Sequence, residues 1–409
     1  MTGLDIDYTV LIPLFAGLLI TVFQKKAFGL PVNLAIVYFL WHMMFCILYY
    51  LFSLGIDSDA QQYYDFSFRI VEEFSLGTVS IYYLTSLFSV ELGMGYFSTF
   101  LTFGVIGFVG IVAFAAALRD ISMGLPRHFQ VLAVLLPMLP GMNFWTSMIG
   151  KDALTLLATG LCCWASVAPN RRYAALILAV LLYFVARPYI GALVLATLAT
   201  TAVLFARIPF SRRAMIALIS APLGIYAASI ALELVGLNSV QSAVDLGDYV
   251  TSRQITNLEG GSSINIADMS PPVRMFTYMF RPLFFDASGA AMLVASVENA
   301  ILLGFFLYTA LLFVRHGSNL SKFSTWFVII CAAALWVMLG NTTANLGLAS
   351  RQKWMILPFL LLLTFIYAMP KRGLARRPPA AGAGRTRTFP AARGIAIEPA
   401  GPRPVGSIG

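Results

Sequence analysis

Long, continuous apolar runs occupy most of residues 1–370, and they constrain the fold more than any other feature of the sequence. A helix needs about 20 apolar residues to cross the ~30 Å hydrocarbon layer of a bilayer. Because these runs are continuously apolar rather than alternating, they predict helices and not a β-barrel. Eleven spans are predicted: Tyr8–Phe23, Val32–Leu54, Tyr96–Leu118, Phe129–Pro140, Ala153–Ala168, Ala174–Ala186, Tyr189–Ala206, Ala214–Val235, Ala291–Val314, Phe323–Gly340 and Trp354–Met369.

The composition agrees with a membrane protein. The chain is 59% hydrophobic and 11% charged, whereas soluble domains carry roughly 25% charged residues. We therefore predict an all-α, polytopic helical bundle over residues 1–370, with outer loops at 55–94 and 236–290. Residues 371–409 are rich in Pro, Gly, Ala and Arg, which predicts a disordered basic tail in the cytoplasm.

The basic residues are distributed unevenly between the two sides of the predicted bundle. Nineteen of the 27 lysines and arginines fall in the tail and in alternate loops, where Asp120 and Glu398 are the only acids. The positive-inside rule makes that side cytoplasmic, so the N-terminus is predicted to lie outside. The net charge of +9 is thus an orientation signal, helped by anionic membrane lipids, and no nucleic-acid partner is predicted.

Two acids, Asp57 and Asp59, follow the second predicted span directly. Apolar residues then recur at helical spacing over residues 63–74, which predicts an amphipathic helix on the membrane surface. One interpretation is that Asp57 or Ser58 caps this helix and Asp59 lies in its first turn. The other places a carboxylate at the mouth of an outward-facing cavity, as a base or as a ligand for a divalent cation. Residues 79–90 are too short to span and predict a second surface or re-entrant helix.

The fourth run is only about 18 Å long as a helix and ends at a cluster of helix breakers, Pro137, Pro140 and Gly141. A polar turn therefore lies below the outer interface, where irregular backbone must line protein or a water-filled cavity. This turn ends with Lys151 and Asp152. The two charges either neutralise each other near the headgroups or belong to a functional site.

Several other cations fall at outer span ends, and they suit a diphosphate because arginine binds phosphate with two N–H groups at once. The alternative is that each one reaches lipid headgroups separately, as a snorkelling side chain does. Glu298 lies inside the ninth span, and an outer arginine is its expected partner. The cations of this set are Lys151, Arg187, Arg281, Arg351 and Lys353.

Some chemistry is disfavoured by what the sequence lacks. It contains no P-loop and no GxSxG motif. Its four cysteines all lie within apolar runs, so neither a disulfide framework nor a zinc site is predicted. No metal site is assigned and no cofactor is required, although a divalent cation at the acidic loop is possible chemistry.

Four segments resemble the polytopic polysaccharide polymerases of bacterial envelopes, of the Wzy and EpsG type, which are GT-C-like. They are Asp-Ser-Asp-Ala-Gln-Gln-Tyr-Tyr at 57–64, Asn-Phe-Trp-Thr-Ser-Met-Ile-Gly-Lys-Asp-Ala-Leu at 143–154, Ala-Arg-Pro-Tyr-Ile-Gly at 186–191, and Phe-Arg-Pro at 280–282 with Glu-Asn at 298–299. The last outer loop is shorter than expected of a large polymerase.

The resemblance implies a multi-pass protein of the bacterial inner membrane. It implies a glycosyltransferase that joins undecaprenyl-diphosphate-linked oligosaccharides in exopolysaccharide or O-antigen-type synthesis, alongside polysaccharide-export machinery. It also implies catalysis by Asp57 or Asp59, a diphosphate held by Lys151, Arg187, Arg281 and Arg351, and support from Asp152 and Glu298. Two alternatives stay open: a transporter or flippase for a lipid-linked sugar or anion, and a non-catalytic subunit of an envelope-synthesis complex.

Overall fold

The computed structural model describes residues 7–56, 58–69, 73–206, 208–218, 222, 225, 269–287, 289–315 and 321–369. These ranges are helical with connecting turns, and they contain no β-strand. Residues 210–218 are also helical. The other α-helices are α1 (Leu11–Ala27), α2 (Val32–Leu54), α3 (Asp59–Ser67), α4 (Thr78–Ser86), α5 (Tyr96–Ser122), α6 (Arg127–Leu135), α7 (Pro140–Trp145), α8 (Lys151–Val167), α9 (Tyr173–Ala186), α10 (Pro188–Phe205), α11 (Pro271–Phe280), α12 (Ala290–Arg315), α13 (Lys322–Thr342), α14 (Leu346–Gln352) and α15 (Leu357–Ala368).

Six of the described helices are long and apolar enough to cross a membrane, and a bent pair, α14 with its following turn and α15, would make a seventh. The prediction of a helical membrane protein is confirmed at this level. The count of eleven spans and the orientation stay predictions. Most of the predicted span 214–235 and of the loop 236–290, and all of the tail 371–409, lie outside the described residues.

Helix α5 is the centre of the bundle. Within the apolar 18-residue segment of α5, 83% of the residues are buried inside the protein. In the corresponding segment of α12 only 22% are buried, so α12 faces outward. Helices α1, α2 and α8 pack around α5. The closest approach is to α8, where a Cβ atom added at Gly160 would collide with the backbone carbonyl of Gly110. Small residues that let two backbones touch are typical of helix pairs in membranes.

This backbone contact gives a stability prediction. Gly160→Ala is expected to lower the free energy of unfolding by about 1–3 kcal/mol, because α8 and α5 must move apart to admit the methyl group. Gly304→Ala is the matched control, since Gly304 is also helical but has no atom within 4 Å of the added Cβ position. Thermal unfolding of the two purified variants measures the difference. Equal unfolding temperatures would contradict the tight α5–α8 contact.

The helical conformation is interrupted between α6 and α7, as the cluster of helix breakers predicts. A 3-10 turn over Leu136–Met138 separates the two helices. The side-chain amide of Asn143 donates to the carbonyl oxygens of Pro137 at 3.0 Å and Leu139 at 2.8 Å. Its oxygen lies 3.1 Å from Nδ1 of His42 on α2. These bonds satisfy freed backbone carbonyl groups inside the bundle and fix the break between α6 and α7.

Basic loops meet at one end of the bundle. Arg119, at the end of α5, donates to the carbonyl oxygen of Gly29 in the α1–α2 loop. Arg172, between α8 and α9, lies 2.6 Å from Asp120 and 2.7 Å from the carbonyl oxygen of Trp164. The sequence predicts that this end is cytoplasmic. Asp152 and Arg187 of the candidate site lie at the ends of α8 and α9 that are opposite to the loop carrying Arg172.

Candidate functional site

Asp152 lies in the first turn of α8, and its side chain is only 3% exposed. Both of its carboxylate oxygens accept hydrogen bonds from arginines. Arg187, at the junction of α9 and α10, places Nη2 at 3.0 Å from Oδ1. Arg351, near the end of α14, donates to Oδ2 through Nε. One buried carboxylate therefore joins three parts of the chain that are far apart in sequence.

The same site extends from Arg351 to the surface. Nη1 of Arg351 lies 2.5 Å from Oδ2 of Asp59, at the start of α3. The side chain of Asp59 is 51% exposed, whereas that of Arg351 is 10% exposed. The charged residues thus run from a solvent-accessible rim at Asp59 to a buried floor at Asp152. We call Asp59, Lys151, Asp152, Arg187 and Arg351 the arginine cluster.

Lys151 forms no direct ion pair with its neighbour Asp152, although the charge of Asp152 acts on it. Its ammonium group donates instead to the hydroxyl of Thr78, at the start of α4, over 2.8 Å. The snorkelling interpretation of Arg187 is wrong, because this residue is only 8% exposed. Its Nη1 donates to the hydroxyl of Tyr189 at 3.1 Å. Sequence reasoning missed both Thr78 and Tyr189.

The arginine cluster holds three cationic side chains and two carboxylates, so it carries one positive charge in excess. Each guanidinium has five N–H donors. Within the described part of the chain, the buried Nε of Arg187 has no hydrogen-bond partner. A site with excess positive charge and an unused buried donor is suited to an anion.

Arg281 lies outside the arginine cluster, although the sequence analysis grouped it with the other cations. Its guanidinium binds Asp286 through two bonds, with Nε 3.0 Å from Oδ2 and Nη2 2.5 Å from Oδ1. The hydrogen bonds from Arg281 hold the pKa of the Asp286 carboxyl below its ordinary value. Among the described residues, one other ion pair joins Arg172 with Asp120. The remaining ion pairs lie within the arginine cluster.

A second buried polar group surrounds Glu298 on α12. The expected arginine partner is not there, and the backbone N–H of Gly141 donates to the Glu298 carboxylate at 2.9 Å instead. The neighbouring Asn299 accepts a hydrogen bond from Lys353 and donates to the carbonyl oxygen of Pro282 at 2.8 Å. Lys353 is 4% exposed, so it is buried within the protein and does not lie at the outer rim.

The two predicted catalytic acids have different outcomes. Asp57 lies outside the described residues. Ser58 is the N-cap of α3, and Asp59 is the first residue of this helix. This agrees with the interpretation in which Ser58 caps the helix and Asp59 lies in its first turn. The helix ends at Ser67, earlier than residue 74, and Ile70 lies outside the described residues. The described residues contain no group of three His, Cys, Asp or Glu side chains that could hold a metal ion.

Comparisons with protein-family models, with curated proteins and with solved structures find no match to the chain. The likeness to polysaccharide polymerases therefore depends on the four short sequence segments alone. The geometry of the arginine cluster is an independent argument about chemistry.

Proposed function

We propose that the protein is a membrane glycosyltransferase of the polysaccharide-polymerase kind, which acts on glycans carried by a polyprenyl diphosphate in the bacterial inner membrane. The arginine cluster supports this proposal more than any other observation. Of the four cations selected as diphosphate ligands from the sequence, Arg187 and Arg351 bind one carboxylate, that of Asp152, and Lys151 precedes this carboxylate directly in the chain.

The proposed chemistry requires cations that are already in place. When the bond from the sugar anomeric carbon to the diphosphate oxygen breaks, the leaving diphosphate gains negative charge. Fixed guanidinium groups in a poorly hydrated site stabilise such charge, because they need no reorganisation during the reaction. Two arginines that are each anchored by Asp152 keep their remaining N–H groups in a fixed orientation.

The diphosphate is proposed to reach these cations from the side on which Asp59 lies. This residue is the outermost member of the cluster, and it occupies one terminal nitrogen of Arg351. A phosphate group competes well for that nitrogen, because it offers more acceptor oxygens and more charge than a carboxylate. The sequence resemblance implies a catalytic role for Asp57 or Asp59, and Asp59 is the member of that pair that the structure describes.

A transporter for a lipid-linked sugar or anion is the second candidate. The supporting observation is the pair of interrupted helical segments, α6–α7 and α14–α15, of which the second bends by 47°. Discontinuous helices at a binding site are common in secondary transporters. Net glycosidic bond formation by the purified protein separates the two candidates, since a transporter moves its substrate unchanged.

The test of the proposed function uses the purified chain in lipid nanodiscs. We expect undecaprenyl diphosphate to bind at least about tenfold more tightly than undecaprenol, because only the former has the charged group that the arginines recognise. Arg187→Gln is expected to remove this preference, while Arg274→Gln, outside the cluster, is the control. Equal binding of the two lipids by the wild-type protein would overturn the proposal.

A further inference from the structure

Two carboxylates are buried in the described part of the chain, and their surroundings differ. Asp152 is bonded to two arginines. Glu298, 7% exposed, has no lysine or arginine nitrogen within 4.0 Å among the described residues. Its only described hydrogen-bond donor is the backbone N–H of Gly141. Glu298 is thus a buried acid that forms no ion pair by direct contact within the described residues, and the charge of Lys353 acts on it from a longer distance.

The groups around Glu298 also have hydrogen-bonding capacity to spare. The ammonium group of Lys353 has three donors, and its described hydrogen bond is to Asn299. The indole Nε1 of Trp354, which is 2% exposed, has no hydrogen-bond partner within the described ranges. Two N–H donors of Lys353 and one of Trp354 therefore remain available, beside the Glu298 carboxylate, in a region that protein shields from solvent.

The site is built so that the carboxylate approaches the backbone closely. A Cβ atom at Gly141 would lie 2.6 Å from Oε2 of Glu298 and 3.0 Å from Cζ2 of Trp354. A larger residue at this position would force the Glu298 carboxylate to shift. Because α7, α12 and the segment after α14 each contribute one part, the arrangement depends on the tertiary fold and not on one helix.

Leaving the Trp354 Nε1 donor without a partner, and Glu298 and Lys353 with few partners, is costly in an apolar environment. A group that fits them must accept from Lys353 and Trp354 and donate to Glu298. A hydroxyl group does both, whereas a phosphate would be repelled by the carboxylate. Sugar hydroxyls therefore match the chemistry of this site, and a diphosphate matches the arginine cluster.

We propose that Glu298, Lys353 and Trp354 form the subsite for the acceptor sugar and that Glu298 accepts the proton of the attacking hydroxyl. This inference depends on the proposed function. The hydroxyl O–H bond breaks and its proton passes to a Glu298 carboxylate oxygen, while the hydroxyl oxygen bonds to the anomeric carbon of the donor. The bond from that carbon to the diphosphate breaks, and its electron pair leaves with the diphosphate.

The other acids near the site are less suited to this role. Asp152 and Asp59 both accept hydrogen bonds from cationic arginines, which stabilise the charged carboxylate and oppose its protonation. Asp286 is bonded to Arg281 in the same way. Glu298 has the free acceptor capacity that a general base needs.

The experiment measures donor binding and glycosyl transfer separately. The probes are undecaprenyl diphosphate for binding and, for transfer, lipid-linked glycans extracted from cells that express the protein natively. Glu298→Gln is expected to reduce transfer about 10²–10⁴-fold, as loss of a general base does. Donor affinity should stay within about twofold, because the arginine cluster is intact. Glu91→Gln, an exposed acid, is the control.

A second variant covers the case in which Glu298→Gln fails to fold. Trp354→Phe keeps an aromatic ring and removes the Nε1 donor, so it is expected to raise the acceptor KM about tenfold with little change in donor affinity. Wild-type transfer by Glu298→Gln, or an unchanged acceptor KM in Trp354→Phe, overturns the subsite but leaves the proposed function standing. Absence of donor binding and transfer in the wild-type protein overturns both.

Discussion

Asp152→Asn is expected to lower the free energy of unfolding by about 3–5 kcal/mol, because it removes a buried negative charge that is bonded to two buried arginines. Asparagine has nearly the same size and keeps one acceptor oxygen, so packing is conserved and charge is the variable. Arg187 would then lose its carboxylate partner, and Arg351 would keep only Asp59 among the described residues. Chemical or thermal unfolding in detergent measures the loss.

Asp120→Asn is the matched control for this prediction. Asp120 also binds an arginine, but that pair is about one-fifth exposed on both sides. Such a pair contributes about 1 kcal/mol or less. The double variant Asp152→Asn with Arg187→Gln should recover part of the stability, since it removes one uncompensated cation. If Asp152→Asn and Asp120→Asn lower the free energy of unfolding equally, the charge of Asp152 contributes no more stability than that of Asp120.

Arg187→Lys and Arg351→Lys are each expected to lower glycosyl transfer about 10²–10³-fold, the usual cost of losing one group that stabilises developing charge. Lysine keeps the charge but cannot bind two acceptors through a planar fork. Arg351 illustrates the need for that fork, because it joins Asp59 and Asp152 through different nitrogens. Initial rates with lipid-linked glycan, at matched protein levels, measure the effect.

The structure makes Arg281→Lys the control for these two variants. The sequence placed Arg281 in the same cationic set, but its guanidinium is bound to Asp286 away from the cluster. Its replacement should change the transfer rate by about twofold or less. A large loss for Arg281→Lys, with wild-type rates for the other two variants, would reverse the assignment of the phosphate site.

Helix positions were predictable because they depend on local pattern. The run Val32–Leu54 coincides with α2, and the run that begins at Tyr96 coincides with the start of α5. Hydropathy determines such boundaries, and breaker residues determine the break before α7. The end of the surface helix α3 was misplaced, because apolar periodicity continues past Ser67 although the helix does not.

Partner choice within the site was not predictable, because it depends on how distant segments pack. Lys151 and Asp152 are adjacent in sequence, yet they point to Thr78 and to two arginines respectively. Successive residues on a helix are about 100° apart, so neighbours in sequence need not share a partner. The nearby pair of Arg281 and Asp286 was in principle readable from its short separation, but a charge pattern alone does not distinguish this pairing from a shared phosphate site.

The short segment at the end of α14 has a thermodynamic consequence. It carries Arg351 into the arginine cluster and, two residues later, Lys353 into the group around Glu298. A ligand that displaces this segment at one place must alter the geometry at the other. Linkage then requires reciprocity: if occupancy of the first place changes the affinity of the second by some factor, the second changes the first by the same factor. If ligands bind at both places as proposed, the two-residue separation of Arg351 and Lys353 would couple their binding through the backbone.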